Sequence, residues 1–327
     1  MTAGPTLGVI GLGLIGGSIA QGWRAEEAGD VVAWTRSPDT RAEAAERGIH
    51  MVGSVAEVVG GADVVVLATP LPVLPETLAQ VADVVGSGPE PPTITDVGSV
   101  KGPLHDLARR LLPDPAVFVP GHPLAGLEHA GWGSADPSLF RTRVWALAAD
   151  HPVSMERWLL VAGVALRLGS VVVPVAADEH DRAVALTSHL PHLVAAGLRT
   201  MIEAEPSALT ATLVGGSFAS ATRVVQGSGR LLGAEMAWAN RDATVQRIEQ
   251  LTDELGRQRA MLTADTPESI VGLFSGWEVA SGGSPATVSA TREELLGLGR
   301  RGGVVTGVDA GGGTVDGLDP GARGTEP

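Results

Sequence analysis

Two stretches of this sequence hold side chains that can take up or release a proton, and each follows a β-like run. Asp96-Val97-Gly98-Ser99-Val100-Lys101 follows Thr93-Ile94-Thr95, and Gly121-His122-Pro123-Leu124-Ala125-Gly126-Leu127-Glu128 follows Val117-Phe118-Val119. Open α/β sheets bind ligands at the carboxyl ends of their parallel strands. Histidine titrates near neutrality and is the usual general base, so proton chemistry is expected at these strand ends. Ser99 reads as a helix N-cap. Farther on come Asp178-Glu179-His180-Asp181, Ser188-His189-Leu190-Pro191-His192 and Gly215-Gly216-Ser217-Phe218, which leads to Arg223. His189 and His192 are three residues apart and share one helix face. His180 and Asp181 are read as holding a domain junction. His180, His189 and Glu179 are metal-ligand types, but no metal site is expected from them.

A third constellation lies near the N-terminus. Gly11-Leu12-Gly13-Leu14-Ile15-Gly16 fits G-x-G-x-x-G between a strand-like run (Leu7–Ile10) and a helix-like one (Ile15–Ala25). In that context Gly11 permits a tight turn, Gly13 lets the backbone approach a pyrophosphate, and Gly16 lets helix and strand pack closely. The amides of Leu14 and Ile15 then open a helix whose N-terminus attracts an anion. The second strand ends Trp34-Thr35-Arg36-Ser37, with no acid to take the ribose 2′-hydroxyl of NAD. Arg36 between the hydroxyls of Thr35 and Ser37 suits a 2′-phosphate, which favours NADP over NAD. Thr69 and Pro70, after the third strand, complete the expected cofactor-binding set.

Elements able to position these groups alternate along the chain. Continuous apolar runs at Leu7–Ile10, Val31–Trp34 and Ala62–Ala68 suit strands buried on both faces of a parallel sheet. Further strands are expected near Thr93–Asp96, Val117–Val119, Val144–Leu147 and Ser170–Val175, and helices at Arg41–Arg47 and Ser154–Leu168. This rhythm predicts an α/β fold: a Rossmann-type doubly wound domain over residues 1–176. Residues 177–300 are expected to form an all-helical domain, kinked at Pro191. The Gly-rich residues 301–327 are expected to form a flexible tail.

Composition narrows the function further. The chain has 327 residues, a net charge of −14 and no cysteine. Without cysteine there is no disulfide, thiolate metal site or Cys nucleophile. Without clustered Lys and Arg, no nucleic-acid or anionic-membrane partner is expected. The first 23 residues are uncharged, but they lack a basic leader and hold six glycines, so they do not read as a signal or a membrane span. A cytoplasmic location is expected.

Taken together, GLGLIGGS, DVGSVK, GHPLAG, DEHD…SHLPH and GGSF…TR, in this order over about Leu7–Asn240, resemble the prephenate/arogenate dehydrogenase family of tyrosine biosynthesis. The resemblance implies NAD(P)-dependent oxidative decarboxylation of a cyclohexadienol to a phenol, in a homodimer built by the helical domains. It also implies His122 as base, Ser99 on the same hydroxyl, Arg223 on the ring carboxylate, and His189 and His192 lining the pocket. Many relatives carry a basic residue four positions before that arginine, where this chain has Ala219. With Glu128 placed to meet an ammonium group, this tilts the expectation from prephenate to arogenate. A fused chorismate mutase before residue 7, or a βαββαβ regulatory domain after Leu262, is not expected. Three other readings remain. A β-hydroxyacid dehydrogenase needs a lysine in the helical region, and there is none from Asp178 to Leu262. A nucleotide-binding sensor would not need His122, Ser99 and Arg223 together. A family member acting on an amino-substituted prephenate stays open.

Overall fold

The computed structural model describes residues 4–86, 91–127, 129–205, 207–226, 229–263, 268–274, 283–309 and 311–320. The chain divides into two compact units: Met1–Asp181 together with Gly283–Pro327, and Arg182–Gly282.

The first unit begins with alternating strands and helices: β1 (Leu7–Ile10), α1 (Leu14–Ala25), β2 (Val31–Trp34), α2 (Pro38–Glu46), β3 (His50–Met51), α3 (Val55–Gly60), β4 (Val64–Leu67), α4 (Leu74–Val85), β5 (Thr93–Asp96), α5 (Gly102–Leu111) and β6 (Phe118–Val119). The six strands form a parallel sheet in the order β3-β2-β1-β4-β5-β6. Every residue of β1, β4 and β5 is buried, as the unbroken apolar runs require of strands covered on both faces. On α4 the buried residues Leu74, Leu78, Val81, Ala82 and Val85 recur every three or four positions, which gives the helix one apolar face.

The later strands do not extend this sheet. β7 (Gly121–Pro123), β8 (Val144–Ala148) and β9 (Val171–Val175) belong to a second sheet, with α6 (Met155–Arg167) packed against both sheets. Only Pro120 separates β6 from β7. A parallel neighbour needs a crossover of a dozen or more residues, so β7 must leave the first sheet, and it pairs antiparallel with β8.

The C-terminal region departs furthest from expectation. Instead of a helical stretch and a flexible tail, residues 284–319 form β10 (Ser284–Ser289), α14 (Arg292–Arg300), β11 (Val304–Val308) and β12 (Thr314–Asp319). β12 lies antiparallel between β10 and β11, and β11 joins β9, completing the order β10-β12-β11-β9-β8-β7. Among the described residues this is a βαββ unit. Several of its glycines permit close backbone packing. A Cβ at Gly299 would lie 1.8 Å from the Pro174 carbonyl oxygen, and one at Gly317 would lie 2.3 Å from that of Val304. Leu295, Leu298, Val305 and Val315 are wholly buried, and Arg292 donates to the carbonyls of Ala149 (2.6 Å) and Val153 (2.8 Å).

α7 (Ala177–Val184) crosses from the first unit into the second. The second unit is helical over its described residues: α8 (Leu190–Ala204), α9 (Ala208–Thr212), α10 (Gly216–Thr222), α11 (Gly229–Ala239), α12 (Arg241–Leu262) and α13 (Glu268–Val271). Pro191 has no N–H for the preceding turn. A π-turn over Ala185–His189 absorbs the mismatch where the sequence predicts a kink.

A buried ion pair ties the two sheets of the first unit together. Lys101 and Asp96 are both shut off from solvent and bonded to each other. Asp96 also accepts from the amides of Gly98 (2.8 Å) and Gly121 (3.1 Å), and Lys101 Nζ donates to the Gly121 carbonyl (2.7 Å). Both backbone groups that open β7 are thus held at the end of β5. Burial lowers the pKa of the Lys101 ammonium below that of an exposed lysine, and Asp96 opposes the shift.

Two stability measurements check these assignments. Leu298→Ala should lower the unfolding free energy by about 2–5 kcal/mol, as for a core leucine. A change within about 0.5 kcal/mol would restore the flexible-tail reading. Lys101→Met should cost about 3–5 kcal/mol in denaturant unfolding, because it strands the Asp96 carboxylate in the core.

Candidate functional site

β1 leads directly into the glycine turn. Gly11 has φ +100°, which an L side chain rarely adopts, and a Cβ there would stand 2.7 Å from the Ala68 carbonyl oxygen. A Cβ at Gly16 would lie 2.0 Å from the Gly11 carbonyl oxygen, so α1 rests directly on the turn. Gly13 is the N-cap of α1 and is open: nothing lies within 4 Å of where its Cβ would stand. No side chain caps this helix and its first turn holds no acid. The first-turn amides of Leu14 and Ile15, the positive end of the helix dipole and the open side of Gly13 therefore fit a pyrophosphate.

At the end of β2, Arg36 is exposed and Thr35 is buried. The Ser37 hydroxyl caps α2 by accepting from the Thr40 amide (3.2 Å), which uses only one of its acceptor lone pairs. A second cation stands in this loop. Arg41 donates through Nη2 to the Thr35 carbonyl (2.8 Å), while its buried Nε has no hydrogen-bond partner. Arg41 was not legible as a site residue because it reads as an ordinary solvated position of a polar helix. After β4, Thr69 Oγ1 shares a hydrogen bond with Thr77 Oγ1 (2.9 Å), and Pro70 is exposed.

The parallel sheet places the ends of β1, β2, β4 and β5 along one edge. Ser99 follows β5 there, and its buried hydroxyl has no hydrogen-bond partner. His122 is the second residue of β7, which the Asp96–Lys101 pair anchors at the same strand end. A residue at Gly121 needs to be glycine, since a Cβ would lie 2.8 Å from the Asp96 carbonyl oxygen.

His122 has a neighbour that sequence reasoning assigned to the domain junction. Its Nδ1 lies 2.9 Å from Nε2 of His180 on α7, with the rings edge to face at 77°. His180 is almost wholly buried, and its Nδ1 lies 2.8 Å from Asp181 Oδ1. The same carboxylate accepts from the amides of Lys101 and Gly102, both at 2.8 Å. The sequence signal was present in the DEHD run, but nothing local says that its histidine turns toward a strand 58 residues earlier.

The remaining predicted residues belong to the second unit. His189 ends the π-turn, is fully buried and faces Asn240 on α12 (Nδ1 to Nδ2, 3.3 Å). His192 donates from Nδ1 to the Ser188 carbonyl (2.9 Å) and packs closely against Gly233 on α11. Arg223 is exposed in the turn that follows α10. Glu128 lies outside the described residues. Among the described residues no group of three His, Asp or Glu side chains is arranged to hold a metal ion, and no helix is long and apolar enough to cross a membrane.

Known proteins place this geometry in context. Residues 19–173 match the profile of the prephenate dehydrogenase nucleotide-binding domain, and residues 176–275 match that of the prephenate dehydrogenase dimerization domain. The βαββ unit lies beyond both. A prephenate dehydrogenase of Lactococcus lactis is 30% identical over 272 residues, 81% of this chain and 73% of that one. A cyclohexadienyl dehydrogenase of Zymomonas mobilis is 27% identical over 84% of this chain and 94% of its own. Among solved structures, prephenate dehydrogenase from Aquifex aeolicus in complex with hydroxyphenyl propionate and NAD+ superposes with a TM-score of 0.75 at 26% identity, covering 84% of this chain and 96% of that one. Synechocystis arogenate dehydrogenase gives 0.72 at 26% identity, over 82% and 96%. The chain belongs to the prephenate dehydrogenase family, a family of oxidoreductases.

Proposed function

We propose that this enzyme catalyses the NAD(P)-dependent oxidative decarboxylation of arogenate or prephenate to tyrosine or 4-hydroxyphenylpyruvate. One observation carries the reading. A single sheet edge holds the open dinucleotide turn and the unpartnered Ser99 hydroxyl, and the buried Asp96–Lys101 pair anchors the His122 strand to that edge.

The substrate carries a ring carboxylate opposite a hydroxyl-bearing carbon. Bound NAD(P)+ supplies the acceptor for the hydride on that carbon. His122 takes the hydroxyl proton and Ser99 holds the same oxygen in place. CO2 leaves as the ring becomes aromatic, and the resulting phenolate takes the proton back from His122. Aromatisation drives the reaction, so the protein has mainly to orient the ring and move one proton. Arg223, with a planar fork matched to a carboxylate, is assigned to the ring carboxylate, and His189 and His192 to the pocket wall. Ala219, one turn before Arg223, removes a cation from the substrate's side-chain end. Together with the Glu128 carboxylate, this favours the ammonium group of arogenate.

NADP is the assigned cofactor. Arg36 follows β2 and Arg41 reaches back from α2 to the Thr35 carbonyl, where a 2′-phosphate would lie, and the strand end Trp34-Thr35-Arg36-Ser37 holds no carboxylate for a free ribose hydroxyl. A homodimer is assigned to the helical unit. Its sequence matches a dimerization domain, and its surface leaves Leu213, Leu231 and Trp238 about 70% exposed.

Two assays test these assignments. Purified enzyme with NADP should form reduced nicotinamide faster with arogenate than with prephenate, and His122→Asn should lower kcat by about 10²–10⁴-fold, the usual worth of a general base. Turnover of neither substrate, with NADP or NAD, would overturn the reading. The double variant Arg36→Ala/Arg41→Ala should raise KM for NADP at least about tenfold, as expected for lost charge-assisted contacts of 1.5–3 kcal/mol, and leave KM for NAD within about twofold. Equal effects on both cofactors would remove the 2′-phosphate assignment.

A further inference from the structure

The geometry points to His180 and Asp181 as positioning residues that select which nitrogen of His122 is basic. The inference rests on the proposed role of His122 as the proton acceptor.

Proton bookkeeping along the chain leads to it. An ionised carboxylate only accepts hydrogen bonds. Asp181 receives the amides of Lys101 and Gly102 and faces His180 Nδ1 at 2.8 Å, so that nitrogen carries a proton. A neutral imidazole has one donor and one acceptor nitrogen. His180 Nε2 is therefore the acceptor, and the partner 2.9 Å away, His122 Nδ1, must donate to it. The lone pair of His122 then resides on Nε2. One carboxylate thus fixes two tautomers in series and leaves His122 with its remaining nitrogen unprotonated.

The arrangement is rigid at both ends. His180 is only 3% exposed, and its amide is held by the Ala176 carbonyl (2.9 Å). The amides that anchor Asp181 directly follow the Ser99 loop, and the strand carrying His122 is fixed by the Asp96–Lys101 pair. Lys101 therefore serves both ends, through its backbone to Asp181 and through its ammonium to Gly121. During turnover the substrate hydroxyl proton passes to His122 Nε2. The resulting imidazolium keeps its Nδ1–H bond to His180, whose Nδ1–H remains on Asp181. The same proton returns to the phenolate, so no other donor or acceptor is consumed.

Asp181 Oδ1 faces both the Lys101 amide and His180 Nδ1, and Oδ2 takes the Gly102 amide, so Asp181→Asn keeps an oxygen for only one of these positions and, with its NH₂ group at the Oδ1 position, presents N–H to His180 Nδ1. That would reverse both tautomers and place the proton on His122 Nε2. An analogous replacement behind a catalytic histidine lowers kcat by about 10⁴-fold with the geometry intact. Here Asp181→Asn should lower kcat by at least about a hundredfold with KM within about threefold. His180→Ala should lower kcat at least about tenfold, and this loss should vanish in a His122→Asn background, because both act through one nitrogen. Nitrogen-15 NMR of the histidine rings, which needs no turnover, should show His122 protonated on Nδ1 in the native enzyme and on Nε2 in Asp181→Asn. Equal losses from His180→Ala in both backgrounds, or an unchanged ring spectrum in Asp181→Asn, would overturn the inference. A His122→Asn enzyme with wild-type kcat would instead remove the base assignment itself, whatever the ring spectra show.

Discussion

The first unit depends on one buried charge pair. An ammonium and a carboxylate removed from water each lose several kcal/mol of hydration, and their attraction repays this only where the geometry also satisfies their remaining donors and acceptors. Asp96 and Lys101 meet that condition through three backbone groups, the amide of Gly98 and both polar groups of Gly121. The pair is therefore a register device as much as a source of stability. It ties the end of one sheet to the first strand of another, and so decides where His122 stands relative to the ligand-binding edge. Because Asp96 ends β5 and Lys101 precedes α5, the tie also fixes the Ser99 loop between them.

Glycine does two different jobs in this chain. At Gly11 and Gly16 it allows a backbone course and a helix approach that no side chain would tolerate, and at Gly13 it leaves room for an anion. At Gly299 it lets the βαββ unit sit directly against β9, and at Gly303 and Gly317 it lets the unit's own α14, β11 and β12 pack closely on one another. Of these positions only Gly13 is open; at the others the protein itself fills the space a side chain would need. Composition cannot separate the two. The C-terminal segment therefore reads as a flexible tail although its leucines and valines are as buried as those of β1.

The proposed proton-transfer side of the site is assembled from distant parts of the chain. Ser99 lies in a loop, His122 on a strand, and His180 and Asp181 at the start of a helix, yet hydrogen bonds of 2.8–2.9 Å link the last three and return to the Ser99 loop through the amides of Lys101 and Gly102. In the proposed reaction such a chain would place the basic nitrogen without placing any charge on the substrate, which suits a step driven by aromatisation.

Local physics made much of this protein legible from its sequence. Continuous β-branched runs require strands covered on both faces, and G-x-G-x-x-G between a strand and a helix requires the dinucleotide turn. The ordered motifs around Ser99, His122, His189 and Arg223 are specific enough together to indicate the family. Long-range geometry decided the rest. The single residue Pro120 between β6 and β7 forces a second sheet, a consequence of crossover length that no local propensity expresses. His180, read from sequence as a junction residue, meets His122 because two elements 58 positions apart converge. The sequence by itself determined which chemical groups are present and which local elements carry them. The tertiary structure alone decided which groups touch, because contacts between elements depend on where backbones can approach and where a buried charge finds its partner.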